Sequence, residues 1–366
     1  MARIVAIDLG RHSVKAVVLE TSGRDVSVEG YFSEPVADDG TGRQAPLGDR
    51  LVALDQLLES NHTWQSPSTT IALAWPADSI STRIVTLPFS DRAQVDQTLP
   101  FTVEEMVPFD LDDMVLGWRS LPHEGEGTRA HVTLVPLGAL RSTVESLQER
   151  SVDPRHVIVD GEALGTLVPS TGSVAVVDVG HASTIISVLI DGRVVAERAV
   201  DVAGRRLTLA IASSMDIGYH EAQRLKHGEH PPDEEPTEGG GDSLLATLPP
   251  KARQALDDVF GLLLAEIRST LIAAEDAHGI DIDRVFLTGG GARLEPLPEY
   301  LQRDLGVPVD WLMDAREEGV PPEHGVARSL AELVAAGRPA VNLRTGPLEF
   351  KGGVNVLRAV VTYGIA

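Results

Sequence analysis

The feature that most constrains the fold is an apolar strand ending in Asp-x-Gly, and it occurs twice. Asp8-Leu9-Gly10 follows the run Ile4–Ile7, and Asp178-Val179-Gly180 follows Val174–Val177, 170 residues later. In each copy two more strand-like runs come next, Ser13–Leu19 and Asp25–Glu29 in the first, Thr184–Ile190 and Arg193–Ala199 in the second. Asp191-Gly192 joins the last two as a hairpin turn. Glycine allows a sharp turn and a close approach of backbone to ligand, because no Cβ stands in the way. One Asp-x-Gly is a common turn. Two in the same setting predict a duplicated α/β unit whose turns face each other across a cleft.

Between the copies the pattern is mixed. Residues 34–49 read as a loop rich in Gly, Pro and Asp, and Leu47–Glu59 as an amphipathic helix. Strands are predicted at Thr70–Ala74, Ser81–Leu87, Ala130–Val135 and Val157–Val159. A helix over Asp91–Met106 is expected to be interrupted around Leu99-Pro100 and stopped at Pro108. Leu137–Arg150 and Gly161–Leu167 also read as helical. After the second copy, helices are predicted at Arg205–Ser213, His220–Lys226, Pro250–His278 and Leu297–Leu305. Residues 227–242 carry six acidic side chains among Pro and Gly and read as an exposed, mobile loop. Val285–Leu287 runs into Gly289-Gly290-Gly291 ahead of a helix.

Composition narrows the function classes. Lys and Arg number 31 against 54 Asp and Glu, a formal charge of −23. Such acidity opposes sequence-independent nucleic-acid binding and adsorption to anionic lipid. The absence of cysteine excludes disulfides, thiolate metal sites and cysteine nucleophiles. No secretory signal is read at the start, where Asp8 interrupts the would-be apolar region, and no run of 18 apolar residues is present.

Facing Asp-x-Gly turns suit phosphate. Backbone N–H groups, with Ser13 on one side and Ser183 and Thr184 on the other, are placed to donate to phosphate oxygens. Asp8 and Asp178 are placed to hold a hydrated Mg²⁺, and Lys15 adds positive charge. A glycine turn such as Gly289–Gly291 lets a flat nucleoside lie against the backbone. His12, inside the first turn, has two readings: a phosphate contact or a solvent-facing side chain.

In this order (phosphate turn, second phosphate turn, nucleoside turn) the chain resembles the actin/Hsp70/sugar-kinase superfamily over residues 1 to about 335. IDLGRHSVKAVVLE resembles the opening of PilM, the actin-like component of type IV pilus machines, and of the related GspL cytoplasmic region of type II secretion. VEEMVPFDLDDMVLGWR, VDGEALGTL and AGRRLTLAIASSMDIGYHEAQRLK are similar to further segments of that family, and NLRTGPLEFKG resembles the GspL tail and the opening of PilN. The GspL type is the slightly preferred match.

The resemblance implies an actin-like, ribonuclease H-like, bilobed α/β fold. Residues 1–79 with 156–200 would form lobe I, 80–155 an inserted FtsA/PilM-like subdomain, and 201–335 lobe II. Residues 336–366 would be an extended tail entering a truncated membrane helix: the 15 residues after Lys351 reach about 22 Å as helix, short of a span. Residue by residue, it places Asp8, Gly10, Ser13 and Lys15 at the first phosphate loop. Asp178, Gly180, Ser183 and Thr184 fall at the second, Gly289, Gly290, Gly291 and Ala292 at the adenosine loop, and Lys226 on the helix beside adenine. Two departures bear on affinity: Ala203-Gly204 replaces a usual glycine pair, and Gln223 replaces a glutamate. Glu162 is the candidate for positioning water, its other reading being a solvated carboxylate at a helix N-terminus. The implied cofactors are ATP and Mg²⁺, with turnover slow or absent. The implied partners are an assembly ATPase of the GspE/PilB type and a PilN/GspM-like inner-membrane protein, with a homodimer open to it and no nucleic acid. The implied site is the cytoplasmic face of the bacterial inner membrane. A sugar or acetate kinase and an FtsA/MreB-like polymerising ATPase are the other readings.

Overall fold

The computed structural model describes residues 2–23, 25–122, 125–227, 248–294, 296–313 and 321–352. The duplication is visible in strand order. The first sheet runs β3(Asp25–Pro35), β2(Ser13–Ser22), β1(Ala2–Leu9), β4(Thr69–Trp75), β8(Pro154–Val159). The second runs β11(Arg193–Val200), β10(Thr184–Ile190), β9(Ser173–Val179), β12(Arg284–Thr288), β13(Val309–Trp311). In each, three strands pair antiparallel and two more add in parallel beside the central strand. The central strands lie between covered faces, so they read as unbroken apolar runs and not as alternation.

The segment between β4 and β8 builds a third sheet, β5(Ser81–Leu87), β7(Thr128–Pro136), β6(Met114–Leu121), all antiparallel. Its core is closed by α2(Arg92–Glu104), which follows α1(Leu47–Ser60) in the chain. The Asp91 carboxylate caps α2 by accepting from Gln94 N at 3.0 Å. The expected interruption at Pro100 is absent. Leu99 and Val103, both fully buried, hold the helix on the sheet through the proline, which removes only one internal hydrogen bond.

Strand pairing corrects one boundary. Ser173–Val200, expected with the first lobe, belongs to the second sheet, because β9 pairs with β12 and the Asp191-Gly192 hairpin keeps β10 and β11 beside it. Helices α3(Leu137–Gln148), α5(Gly204–Met215), α6(Tyr219–Lys226), α7(Pro250–His278) and α8(Pro296–Leu305) cover outer faces. The long α7 turns Leu256, Phe260, Leu263 and Ile267 into the second core and ends at Gly279, whose φ of 64° closes it. Two short helices lie between the sheets, α4(Asp160–Leu164) and α9(Gly325–Ala335). Ala163, Leu164, Val326, Ala327 and Leu330 pack there against Ile4, Ala6, Val174 and Val176, so one apolar cluster joins both lobes.

The tail returns to lobe I. Leu343 N donates to Val157 O at 2.8 Å, and Asn342 Oδ1 accepts from Val157 N at 3.0 Å. Val341, Leu343 and Leu348 enter the first core. The apolar run after Lys351 falls at residues 353–366 and all but His227 of the acidic loop at 228–242, outside the described residues. Among the described residues no helix is long and apolar enough to cross a membrane.

If the tail is a structural part of lobe I, Leu343→Ala, at a fully buried position, costs about 2–4 kcal/mol in urea unfolding. Leu262→Ala, on the exposed side of α7, stays within about 0.5 kcal/mol. Equal effects would show the tail to be loosely held.

Candidate functional site

Each Asp-x-Gly turn sits at the end of its central strand, beside the end of the parallel neighbour: Asp8 is level with Ala74, and Asp178 with Thr288. The two turns share one cavity of about 1110 Å³ between the lobes. That is ample for a ligand of nucleotide size.

Most of the candidate residues meet there. Asp8, Gly10, Ser13 and Lys15 line one wall, Asp178, Gly180 and Ser183 another, and Gly289, Gly290, Gly291 and Lys226 complete it. Lys15 Nζ lies 3.4 Å from Asp8 Oδ2 and 3.3 Å from Ser13 O. A Cβ on Gly10 would stand 2.5 Å from Ser13 O and 3.0 Å from Lys15 Nζ, so only glycine closes this turn. Gly289, at φ 89°, has no room for a side chain either, since a Cβ would strike the Asp178 carboxylate and the Val179 carbonyl. The departure at Ala203-Gly204 leaves the contact intact: Gly204 N donates to Gly180 O at 3.0 Å.

Three candidates are placed otherwise. Thr184 is fully buried and its hydroxyl donates to Val202 O at 2.6 Å, so it ties β10 to the strand end and is not presented to the cavity. Ala292 is buried beneath the glycine turn. Glu162 is turned toward the tail: its carboxylate pairs with Arg119 at 3.1 Å and accepts from Val341 N at 3.3 Å. The carboxyl that faces the cavity from α4 is Asp160, two residues earlier. Sequence reasoning missed it because both acids sit in the first turn of one short helix. The usable signal was register: Asp160 directly follows strand β8, as Asp8 and Asp178 end theirs.

Charge in the cleft falls into an acidic and a basic group. Burial, and then Asp8 nearby, push the Asp178 carboxyl up to about 7 against the pull of Lys15. Burial, Glu197, Asp178 and Asp8 raise Asp160 well above the carboxylate range. Glu197, on β11, is pushed up to about 8 by burial and Glu162. The other group is basic. Burial brings Lys226 down to about 8, although its ammonium donates to Gly204 O at 3.1 Å and Thr208 Oγ1 at 2.9 Å. His181 is held at about 3 by burial and by the cations around it.

A two-lobed, duplicated fold with a polar cleft between Asp-x-Gly turns defines the actin-like class. The family profile described as type IV pilus assembly protein PilM matches residues 6–317, and the chain belongs to that family. Of the two types named from sequence, it is the pilus type, placed second there, that the profile describes. In structure the chain is similar to the "PilM-PilN type IV pilus biogenesis complex", with TM-score 0.70, 20% identity, 91% of this chain and 98% of that one covered. It is also similar to the ethanolamine utilization protein EutJ of Carboxydothermus hydrogenoformans, with TM-score 0.50, 16% identity, and 91% and 90% covered. These likenesses establish the fold. Cell division protein FtsA of Agrobacterium fabrum is 28% identical over 204 residues, 49% of this chain and 44% of that protein. The chain thus spans less than half the length of the curated relatives it matches.

The raised carboxyls set a sign for stability. Folded Asp178 and Glu197 hold protons at pH values where the unfolded chain has lost them, so the folded state is favoured as pH falls through about 8 and then about 7. Below about 6.5 the lowered histidines oppose this, because unfolding then lets them charge. Lys226, brought down to about 8, opposes this above that pH, and the histidines gain weight as 6.5 is approached, so the melting temperature rises from about pH 8 to 7. Asp178→Asn flattens the lower part of that rise and melts higher than wild type at pH 8, at about 1–2 °C per kcal/mol gained. A melting temperature that falls over this interval would contradict the charge assignment.

Proposed function

We propose that this chain is a nucleotide-binding adaptor at the cytoplasmic face of a bacterial inner-membrane platform of the type IV pilus kind, reporting cleft occupancy to partners with little turnover. The observation that carries the reading is the convergence of Asp8 and Asp178, from the two lobes, on one cavity whose third wall is the Gly289–Gly291 turn.

The residues present fit a nucleotide with a hydrated divalent cation. Among the described residues no three carboxylates or histidines stand close enough to ligate a metal directly, in keeping with an ion held through water by Asp8 and Asp178. Such an ion supplies positive charge to the phosphates. Gly10 and Gly289 are cradles that a side chain would fill. Gln223, where a glutamate is usual, bonds with Thr208 at 3.4 Å. Glu323, which lines the cavity opposite, keeps a buried Oε2 with no partner among the described residues, an acceptor suited to a nucleoside hydroxyl.

Slow turnover follows from the same geometry. Asp160 is the carboxyl on the linking helix that faces the cavity, and burial beside three acids keeps it protonated, which disqualifies it as a base for water. Glu162 is committed to Arg119. The partners that fit this reading are an assembly ATPase and a PilN-like membrane protein. A secretion-type platform is the second reading, favoured by the Asn342-Leu343 segment docked on β8.

Asp8→Ala with Asp178→Ala weakens Mg-nucleotide binding more than about 100-fold in calorimetry, as expected when charge-assisted contacts are lost from a buried site. Equal binding by wild type and variant would show the site to be misplaced. Purified chain co-elutes with the N-terminal domain of its cognate assembly ATPase, and the ATPase captured, pilus or secretion, separates the two readings. Rapid multiple-turnover hydrolysis without that partner would rule out the adaptor role.

A further inference from the structure

Two imidazoles meet where the two turns face each other. His12 follows Gly10 by two residues and His181 follows Gly180 directly, so each stands at the tip of its own Asp-x-Gly turn. Their rings stack with centroids 5.1 Å apart and planes inclined by 19°. Both line the cavity, His12 at its exposed rim and His181 half-buried. Each is anchored through its backbone: Val36 N donates to His12 O at 2.8 Å, and Arg205 N to His181 O at 2.7 Å. The stack therefore bridges the two turns beside the cavity they share. An anion lodged between the turns has to part these rings or be gripped by them.

We propose that His12 and His181 are the polyphosphate reader of the cleft, the anion entering between the rings and drawing a proton onto them so that each lobe grips it through a charged imidazole. This deepens the nucleotide reading above and rests on it.

The surroundings favour that exchange. Stacked imidazoles at this distance are stable as neutral rings, since two imidazoliums would repel. The charged and titratable groups acting on the pair are Lys15 on β2, Lys226 at the end of α6, His227 directly after it, Arg205 at the start of α5 and Asp38 on the segment after β3. Burial, then Lys226 and Lys15, lower His12 against the pull of Asp38, and His181 feels His12, Lys226, Arg205 and Lys15. A polyphosphate reverses the sign of that local field and raises both imidazoles. The complex then holds more protons than its separated parts. Affinity accordingly increases as pH falls through the imidazole pKa values of the complex, by up to about tenfold per pH unit for each proton taken up.

Calorimetry on the full chain with AMPPNP tests this at pH 6.5 and 8.0, in two buffers of different ionisation enthalpy, with adenosine as the control ligand. Wild type binds AMPPNP about tenfold or more tighter at pH 6.5 and takes up protons. The double variant His12→Gln, His181→Gln melts normally and binds adenosine as wild type does. It binds AMPPNP more weakly at pH 6.5 and takes up fewer protons than wild type, the nucleotide, Lys226 and His227 supplying what remains. Identical proton uptake in both proteins overturns the proposal, and so does tighter AMPPNP binding by the variant at both pH values, which would make the rings a plug. If AMPPNP binds both proteins alike, only this inference falls. If neither ligand binds wild type, the nucleotide reading falls and takes the inference with it.

Discussion

The structure is organised around carboxylates that it buries together. Asp8 and Asp178 end the central strands of two sheets, Asp160 opens the helix between them, and Glu197 approaches from β11. Like charges in a desolvated place are costly, and Asp178, Asp160 and Glu197 respond by holding protons. Lys15 and Arg50 offer cations near Asp8, and Asp160 accepts from the backbone N–H groups of Gly161 at 2.7 Å and Ala77 at 3.1 Å. The arrangement persists because the apolar cluster shared by β1, β2, β9, α4 and α9 fixes both strand ends. A fold optimised for stability alone would place amides or apolar groups here. The strain belongs to the site.

The same wedge ties the cleft to the tail. Helix α4 is five residues long, with Asp160 facing the cavity and Glu162 facing Arg119 and Val341. Arg119 comes from the third sheet, and Val341 from the segment that runs beside β8. One short helix thus contacts the cleft, the inserted sheet and the strap. Arg344, almost fully buried, adds an ion pair to Asp153 at 3.0 Å and keeps the strap in register with the end of β8.

The duplicated plan and most site residues were legible because they rest on backbone chemistry. Apolar strands read as period-free runs, glycine marks a turn that no other residue closes, and Asp-x-Gly fixes the carboxylate beside it. Elements that depend on remote partners were not legible. Met114–Leu121 is only half covered along its length, and Val309–Trp311 is three residues long, so neither shows a period. Gly325–Ala335 does carry an amphipathic pattern, with Arg328 and Glu332 paired on its less buried side, and was open to a sequence reading. Side-chain direction was also beyond reach. Thr184 and Ser183 are equivalent in the sequence, but β10 sends one hydroxyl to Val202 and leaves the other at the cavity. Glu162 and Asp160 were separated only by which lay toward Arg119.

The cleft brings protonated or crowded carboxyls together with the cations Lys226 and Lys15 and depressed histidines. Lys226 is set against the first turn of α5, where the helix dipole opposes a cation, and the Gly204 carbonyl and Thr208 hydroxyl offset only part of that cost. Lys15, 3.4 Å from Asp8 and pulling on Asp178, relieves the acids only in part. A ligand that brings positive charge to the acids and negative charge to the cations relieves both at once. A neutral nucleoside relieves neither, and a free anion meets the acids. The charge pattern of the cleft thus suits the metal-bound polyphosphate of the proposed reading.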